Sequence, residues 1–292
     1  MVGKALIQFI ERQTVLDRTS DVLQAWVRAM FRSGGATGRN LKDVLNGTWL
    51  GHPLHPALTD VPIGSWTIAI GLDAFGVTTG RNELQQAADF AVGVGTIGAL
   101  GAAVAGLTDW SDTDSRPRRM GLAHAIVNIG ATSLFAASFA MRRTDRRLGV
   151  ILGFIGYGVA SMGAFLGGHL VFAQRIGVTH AGQKLTDEFI AVLPDTELKE
   201  DQLCRAEVNT VPLVLVRHAG AIYALVETCA HLGGPLSQGT LEDGNVRCPW
   251  HNSCFSLKDG HVINGPAAFE QPCFETRVRD GQIEVRGKQS FE

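Results

Sequence analysis

Residues 148–173 read LGVILGFIGYGVASMGAFLGGHLVFA and hold no Lys, Arg, Asp or Glu. A helix rises about 1.5 Å per residue, so roughly 20 apolar residues span the ~30 Å hydrocarbon core of a bilayer. Lipid offers the backbone no hydrogen-bond partner, which makes a helix the form such a stretch must take. Gly121–Met141 is equally free of charge and predicts a second span. Pro62–Val77, with only Asp73, and Ala87–Leu107, with only Asp89, predict two more. The connectors Thr78–Gln86 and Arg142–Arg147 are short enough to join antiparallel neighbours, giving a bundle of four. Gly93, Gly95, Gly98 and Gly101, with Gly163 and Gly167, either let helices approach closely or reflect ordinary membrane-helix composition.

Outward from this bundle the texture changes. The formal net charge of -2 leaves no basic field for phosphates, which excludes nucleic acid as a partner. Met1–Ile10 is followed by Glu11, Arg12, Asp17 and Arg18 instead of an apolar core, so no secretory signal is expected. Ser20 is placed to cap a helix with Val22, Leu23, Trp26, Val27, Met30 and Phe31 on one face. Such a helix suits a membrane surface, or the protein's own bundle. After Ala173, polar residues lead into short strands: Val211–Arg217 and Ile222–Glu227 bracket a turn, and Asp243-Gly244, Asp259-Gly260 and Asp280-Gly281 mark three more hairpins. The expected organisation is multidomain. It has an interfacial helical segment (1–49), an α-helical transmembrane four-helix bundle (50–177), a linker (178–194) and an all-β domain (195–288).

All five cysteines lie in the last third, an odd number that favours metal ligation over a disulfide framework. Cys229-Ala230-His231 and Cys248-Pro249-Trp250-His251 each supply one thiolate and one imidazole, with sixteen residues between the clusters. Zinc sites usually group like ligands, as C-x2-C and H-x3-H, so this mixed pairing disfavours zinc. The pattern resembles the Rieske iron-sulfur family, of the ferredoxin type, over roughly Asp195 to Val285. That resemblance implies a [2Fe-2S] cluster with one iron on Cys229 and Cys248 and the other on His231 and His251. It also implies that Gly233 and Gly234 turn closely round the cluster, that Pro266 covers it, and that Ser253 donates to a cluster sulfur. Quinol-oxidising members carry an extra cysteine in each loop, where this chain has Gly234 and Trp250, so the high-potential subtype is disfavoured. Asn252 stands where glycine is common and tolerates the left-handed backbone. Cys204, Cys254 and Cys273 read as small hydrophobes, and His218 and His261 as solvated loop residues.

The segment from Leu50 to Gly177 resembles a four-helix bacterial membrane family (DUF2231), through HPLHPALTD at 52–60 and GGHLV at 167–171. With alternating helix directions, His52, His55, Asp60, Asp109, His124 and His169 gather at one rim of the bundle. Counting along the helices puts His124 and His169 at equal depth, about 5 Å. The pair is then a candidate for axial ligation of a haem b, for another metal or for a quinone pocket; the alternative is solvated histidines bonded to Asp60 or Asp109. Lys and Arg near the helix ends are nearly balanced between the two faces. Free thiols and the absence of an export signal favour an inner-membrane, multi-pass protein with a cytoplasmic Rieske domain. The expected function is a tethered carrier passing single electrons to or from a reductase or oxygenase, more a carrier than a substrate-transforming enzyme. The alternative is a single-chain membrane oxidoreductase whose haem or quinone rim exchanges electrons with the cluster. Terminal oxygenase chemistry is not expected, because no two-His, one-carboxylate iron site follows the cluster motif.

Overall fold

The structure is a computed structural model that describes residues 2–81, 83–182 and 187–287. The chain forms two compact units, Met1–Arg39 with Leu54–Ile176, and Asn40–Pro53 with Gly177–Glu292. The short segment just before the first long helix thus goes with the C-terminal unit, not with the N-terminal helices that precede it.

The helices are α1 (Val2–Glu11), α2 (Val15–Ser33), α3 (Gly35–Asn46), α4 (Leu54–Thr79), α5 (Leu84–Ser111), α6 (Ser115–Met141) and α7 (Arg146–Phe172). The last four are long and apolar enough to cross a membrane, with mean hydropathies of 1.3, 1.9, 1.4 and 1.8 over their best windows. α4 starts at Leu54, before the expected Pro62, so His55 and Asp60 lie inside the helix. Pro56 sits in the first turn, where a missing N–H costs nothing. Pro62 is buried within the helix, where a Cβ on Gly98 would come within 3.2 Å of its ring. A Cβ on Gly95 would meet the Trp66 ring at 2.5 Å, whereas Gly101 faces open space, so close approach explains some of these glycines and composition the rest. Trp66 stacks on Phe135 with ring centroids 4.1 Å apart in the bundle core, beside Ala69 and Val92.

The two charges inside the predicted spans find partners at one end of the bundle. Arg142 bonds Asp73 through both of its terminal nitrogens and reaches Asp89 at 2.8 Å, while Arg146 holds Asp89 at 3.1 Å. Arg142 and Asp73 are almost fully buried. At the other end α2 caps α5: Gln24 donates to the carbonyls of Trp110 and Thr113 at 2.8 and 2.9 Å, and Arg28 to that of Ser111 at 2.9 Å. These carbonyls lie at and just beyond the C-terminal end of α5. Ser20 is no cap, because α2 starts at Val15, and Ser20 instead joins Gln24, Val27 and Phe31 on the buried stripe. Val22, Leu23, Trp26 and Met30 point outward, with Trp26 76% exposed. The helix therefore packs through a stripe that is half polar and half apolar and keeps a second apolar face free.

The strands are β1 (Ile190–Pro194), β2 (Leu203–Val208), β3 (Val211–His218), β4 (Ala221–Val226), β5 (Thr240–Glu242), β6 (Asn245–Arg247), β7 (Cys254–Ser256), β8 (Val262–Asn264), β9 (Cys273–Arg279) and β10 (Gln282–Gly287). Six form one antiparallel sheet in the order β1-β10-β9-β4-β3-β2, and β5-β6-β7-β8 form a smaller one. β1 lies in the stretch read as linker yet pairs with β10 at the sheet edge. Leu213, Val214, Leu215 and Val216 are all buried, as suits a strand covered on both faces. The Asp243-Gly244 and Asp280-Gly281 turns have both residues at positive φ, as type I′ hairpins require. Asn209-Thr210 does the same between β2 and β3, at φ 48° and 70°, without a glycine to announce it.

Candidate metal centre

Two loops of the β unit adopt one design. In the first, the Cys229 N–H donates to the Gly234 carbonyl at 2.9 Å, and the Gly233 N–H returns to the Cys229 carbonyl at 2.9 Å. In the second, the Cys248 N–H donates to the Ser253 carbonyl at 2.8 Å, and the Asn252 N–H returns to the Cys248 carbonyl at 3.2 Å. The same position of each loop takes the left-handed backbone, Gly233 at φ 80° and Asn252 at φ 65°. A Cβ on Gly234 would lie 2.7 Å from the Cys248 sulfur and 3.1 Å from the Trp250 ring, so glycine is what lets the loops close on each other. The two positions that hold extra cysteines in the quinol-oxidising subtype are thus neighbours here, filled by an indole against a glycine.

The loops bring both thiols and both imidazoles together. Cys229 and Cys248 are buried. The thiol of Cys229 hydrogen-bonds Cys248 and, helped by backbone N–H groups of Trp250 and His251, holds the Cys248 thiol down at about 7. The same bond and burial push Cys229 up, against the N–H groups of His231 and Leu232 that favour its thiolate. The rings of His231 and His251 stand 5.0 Å apart, centre to centre. Burial, then His251, Lys42 and His180, hold His231 well below its usual value, which keeps its imidazole neutral. Its Nδ1 is buried and has no hydrogen-bond partner among the described residues. A buried lone pair beside two N–H-cradled thiols is what a metal cluster would satisfy, so these residues fit one.

Supports around the loops were not legible beforehand. Gln271, 1% exposed, donates to the carbonyls of Val226 and Thr228 at 2.6 and 2.8 Å and accepts from the Ala230 N–H at 2.9 Å. Glu227 accepts from the Ser237 N–H at 2.9 Å and the Ser237 hydroxyl at 2.6 Å, and burial holds its carboxyl above the usual range. Ser253 accepts from the Ala267 N–H at 3.0 Å, which leaves its own O–H to donate. Pro266 is buried in the loop after β8. Asp43 and Thr48 tie that loop down, accepting from the Gly265 N–H at 3.0 Å and donating to the Ala267 carbonyl at 3.2 Å. An Asp–Thr pair outside the motif region carries no pattern that would have flagged it.

The remaining predicted residues scatter. His218 pairs with Asp201 at 2.6 Å and the exposed His261 with Glu270 at 3.3 Å. Cys254 and Cys273 are buried and Cys204 is half-buried. In the helical unit His55 stands beside His124, with ring centroids 6.3 Å apart. His169 is not in that pair; its Nε2 lies 3.6 Å from the Glu11 carboxylate. Asp60 is exposed, and His52, also exposed, falls in the other unit.

Two cysteines and two histidines in paired loops over an antiparallel β domain give the donor set of a mixed-ligand metal centre. The Rieske [2Fe-2S] domain family matches residues 188–275, and the family described as "Predicted membrane protein (DUF2231)" matches residues 51–180. Ferredoxin CarAc of Metapseudomonas resinovorans is 32% identical over 28% of this chain and 76% of its own. The anthranilate 1,2-dioxygenase ferredoxin subunit of Burkholderia cepacia is 29% identical over 30% of this chain and 82% of its own. Human apoptosis-inducing factor 3 is 32% identical over 33% of this chain, but the match spans only 16% of that protein. Among solved structures, the ferredoxin of carbazole 1,9a-dioxygenase from Nocardioides aromaticivorans IC177 is 22% identical, covering 34% of this chain and 98% of its own, with a TM-score of 0.33. The chain belongs to the Rieske [2Fe-2S] family through its C-terminal domain, which follows a DUF2231 domain with four apolar helices. The Rieske domain binds a [2Fe-2S] cluster and is homologous to electron-transfer ferredoxins.

Proposed function

We propose that this protein is a membrane-tethered carrier of single electrons, with Cys229 and Cys248 on one iron and His231 and His251 on the other. The convergence of two N–H-cradled thiols with two imidazoles 5.0 Å apart carries this reading. A mixed-ligand [2Fe-2S] cluster supplies a one-electron couple, with potentials of about -150 to +300 mV across the class. Glycine and tryptophan in place of the extra cysteine pair, and a single candidate hydroxyl donor at Ser253, put this chain near the low end of that range. Gln271, Glu227 and Ser253 hold the loops so that little rearranges when the charge changes. Trp250, 56% exposed beside His251, marks the side from which a partner reaches the histidine ligands. The Burkholderia cepacia relative is the ferredoxin subunit of a dioxygenase, which makes a reductase or an oxygenase the fitting partner. The four apolar helices hold the carrier in the lipid of the inner membrane, with the Rieske domain on the cytoplasmic side.

The test is electron paramagnetic resonance of full-length protein in detergent, reduced with dithionite. The wild type shows a rhombic signal with average g below the free-electron value, and Cys248→Ser or His231→Cys abolishes it. Survival of that signal unchanged in Cys248→Ser overturns the ligand assignment.

A further inference from the structure

The helical unit carries one small device twice. Near the start of α4, His55 sets its Nδ1 2.8 Å from the carbonyl of Ala102 on α5. Four residues further along α5, Gly106 leaves space for the ring: a Cβ there would sit 2.8 Å from it. Within α6, His124 sets its Nδ1 2.9 Å from the carbonyl of Gly163 on α7. Four residues further along α7, a Cβ on Gly167 would lie 3.0 Å from the His124 Cε1. Each helical hairpin thus presents one imidazole, fixed by a carbonyl and a glycine in the same register.

A carbonyl only accepts, so each Nδ1 carries the proton and each Nε2 keeps its lone pair. An imidazole whose second nitrogen donates to a backbone carbonyl is the usual form of a metal ligand. Asn128 stands beside the His124 Nε2 and is the neighbour that a metal on that lone pair would displace. Its Nδ2 lies 3.3 Å from both ring nitrogens, which places it over the ring face, and it donates to the His124 carbonyl at 2.8 Å.

The spacing of the rings says which coordination they suit. With a metal about 2.0–2.1 Å from a ring nitrogen, the metal lies about 3.1 Å from the ring centre. Two imidazoles at a tetrahedral angle then have centres about 5 Å apart, and two in line about 6.3 Å. His231 and His251, at 5.0 Å, have the first spacing; His55 and His124, at 6.3 Å, have the second. Their 89° interplanar angle is compatible, since rotation about the ligand–metal–ligand axis is free. In-line ligation leaves an equatorial plane to fill. Among the described residues the only cluster of three or more potential His, Cys, Asp or Glu ligands is Glu200, Asp201 and His218, in the other unit. Equatorial donors must therefore arrive with the cofactor, as in a metal tetrapyrrole.

We propose that His55 and His124 are the axial ligands of a haem held within the four-helix bundle. This pairing differs from the one that depth along the helices suggests, because His169 points elsewhere. The reading is independent of the cluster assignment, and the two have separate spectral signatures.

The experiment is an optical spectrum of full-length protein, purified in detergent from cells supplied with a haem precursor and then offered haemin. Expected are sharp bands near about 560 nm on reduction, with one haem per chain by pyridine haemochrome. Haem content falls at least tenfold in His55→Ala and in His124→Ala and is kept in His169→Ala, while the resonance of the reduced cluster persists in all three and certifies their folding. His124→Met, which retains a ligand atom, shifts the bands instead of abolishing them. The proposal is overturned if the wild type with an intact cluster signal takes up no haem. It is equally overturned if the bands survive in both alanine variants, or if mass spectrometry finds a metal without porphyrin that depends on both histidines.

Discussion

Asn252 takes φ 65° at the position that Gly233 takes in the sister loop, so one loop uses the only residue without a Cβ and the other a residue that tolerates the strain. The motif identifies both loops, but it does not reveal what holds them still. Gln271 makes three hydrogen bonds to the first loop and its strand while fully buried. Gln271→Ala leaves the Ala230 N–H and two carbonyls without that partner, at about 1–3 kcal/mol for a buried orphan group. Faster loss of the cluster's visible absorbance on warming, with the resonance of the freshly prepared protein unchanged, is the expected outcome. Equal thermal loss in wild type and variant would mean that the side chain fills space and no more.

At the scale of elements, Asp73 and Asp89 are the acidic residues within the first two predicted spans. They are explained by Arg142 and Arg146, which the sequence places in and beside the α6–α7 connector and the fold brings onto Asp73 and Asp89. Arg142→Leu strands the buried Asp73 carboxylate, and losing one partner of a buried pair costs about 3–5 kcal/mol. We expect a lower Tm in detergent, partly restored by the double variant Arg142→Leu with Asp73→Leu. The link between α2 and α6 is pH-dependent by a different route. Hydrogen bonds from Arg119, and then from Arg118, hold Asp17 at about 2, below its ordinary 3.8. A carboxyl lowered in the folded state adds stability above its unfolded value and loses it as pH falls. The α2 amides should therefore exchange faster, beyond the intrinsic trend, as pH drops from 3.8 towards about 2. Arg119→Gln should weaken that step, and an identical pH profile in the variant would assign it elsewhere.

For the whole molecule, the proposed cytoplasmic orientation of the Rieske domain makes a labelling prediction. Cys204 is half-buried whereas the other four cysteines are buried, so it is the thiol open to a bulky reagent. Burial, with Glu197 nearby, pushes its thiol up, so labelling is slow at neutral pH and faster at pH 9. A membrane-impermeant maleimide should label Cys204 in inverted inner-membrane vesicles and not in right-side-out ones, with Cys204→Ser as the control. The reverse pattern would place the Rieske domain outside the cytoplasm.

The spans, the hairpin turns and the thiol–imidazole pattern were legible because each depends on local physics. Backbone must be satisfied in lipid, Asp-Gly pairs take positive φ, and ligands in a tight loop lie close in sequence. Tertiary structure alone decided what meets across the chain. Counting residues gives depth along a helix but not direction around it. His169 lies two residues beyond Gly167, about 200° round the helix, so when Gly167 faces His124 the His169 side chain faces away. The rotation that seats His55 against Ala102 and His124 against Gly163 is set by packing between helices, which no single helix encodes. The same holds for Gln271 on the first cluster loop and for Asn40–Pro53 in the β unit: both rest on pairings distant in sequence, where periodicity and spacing carry no signal.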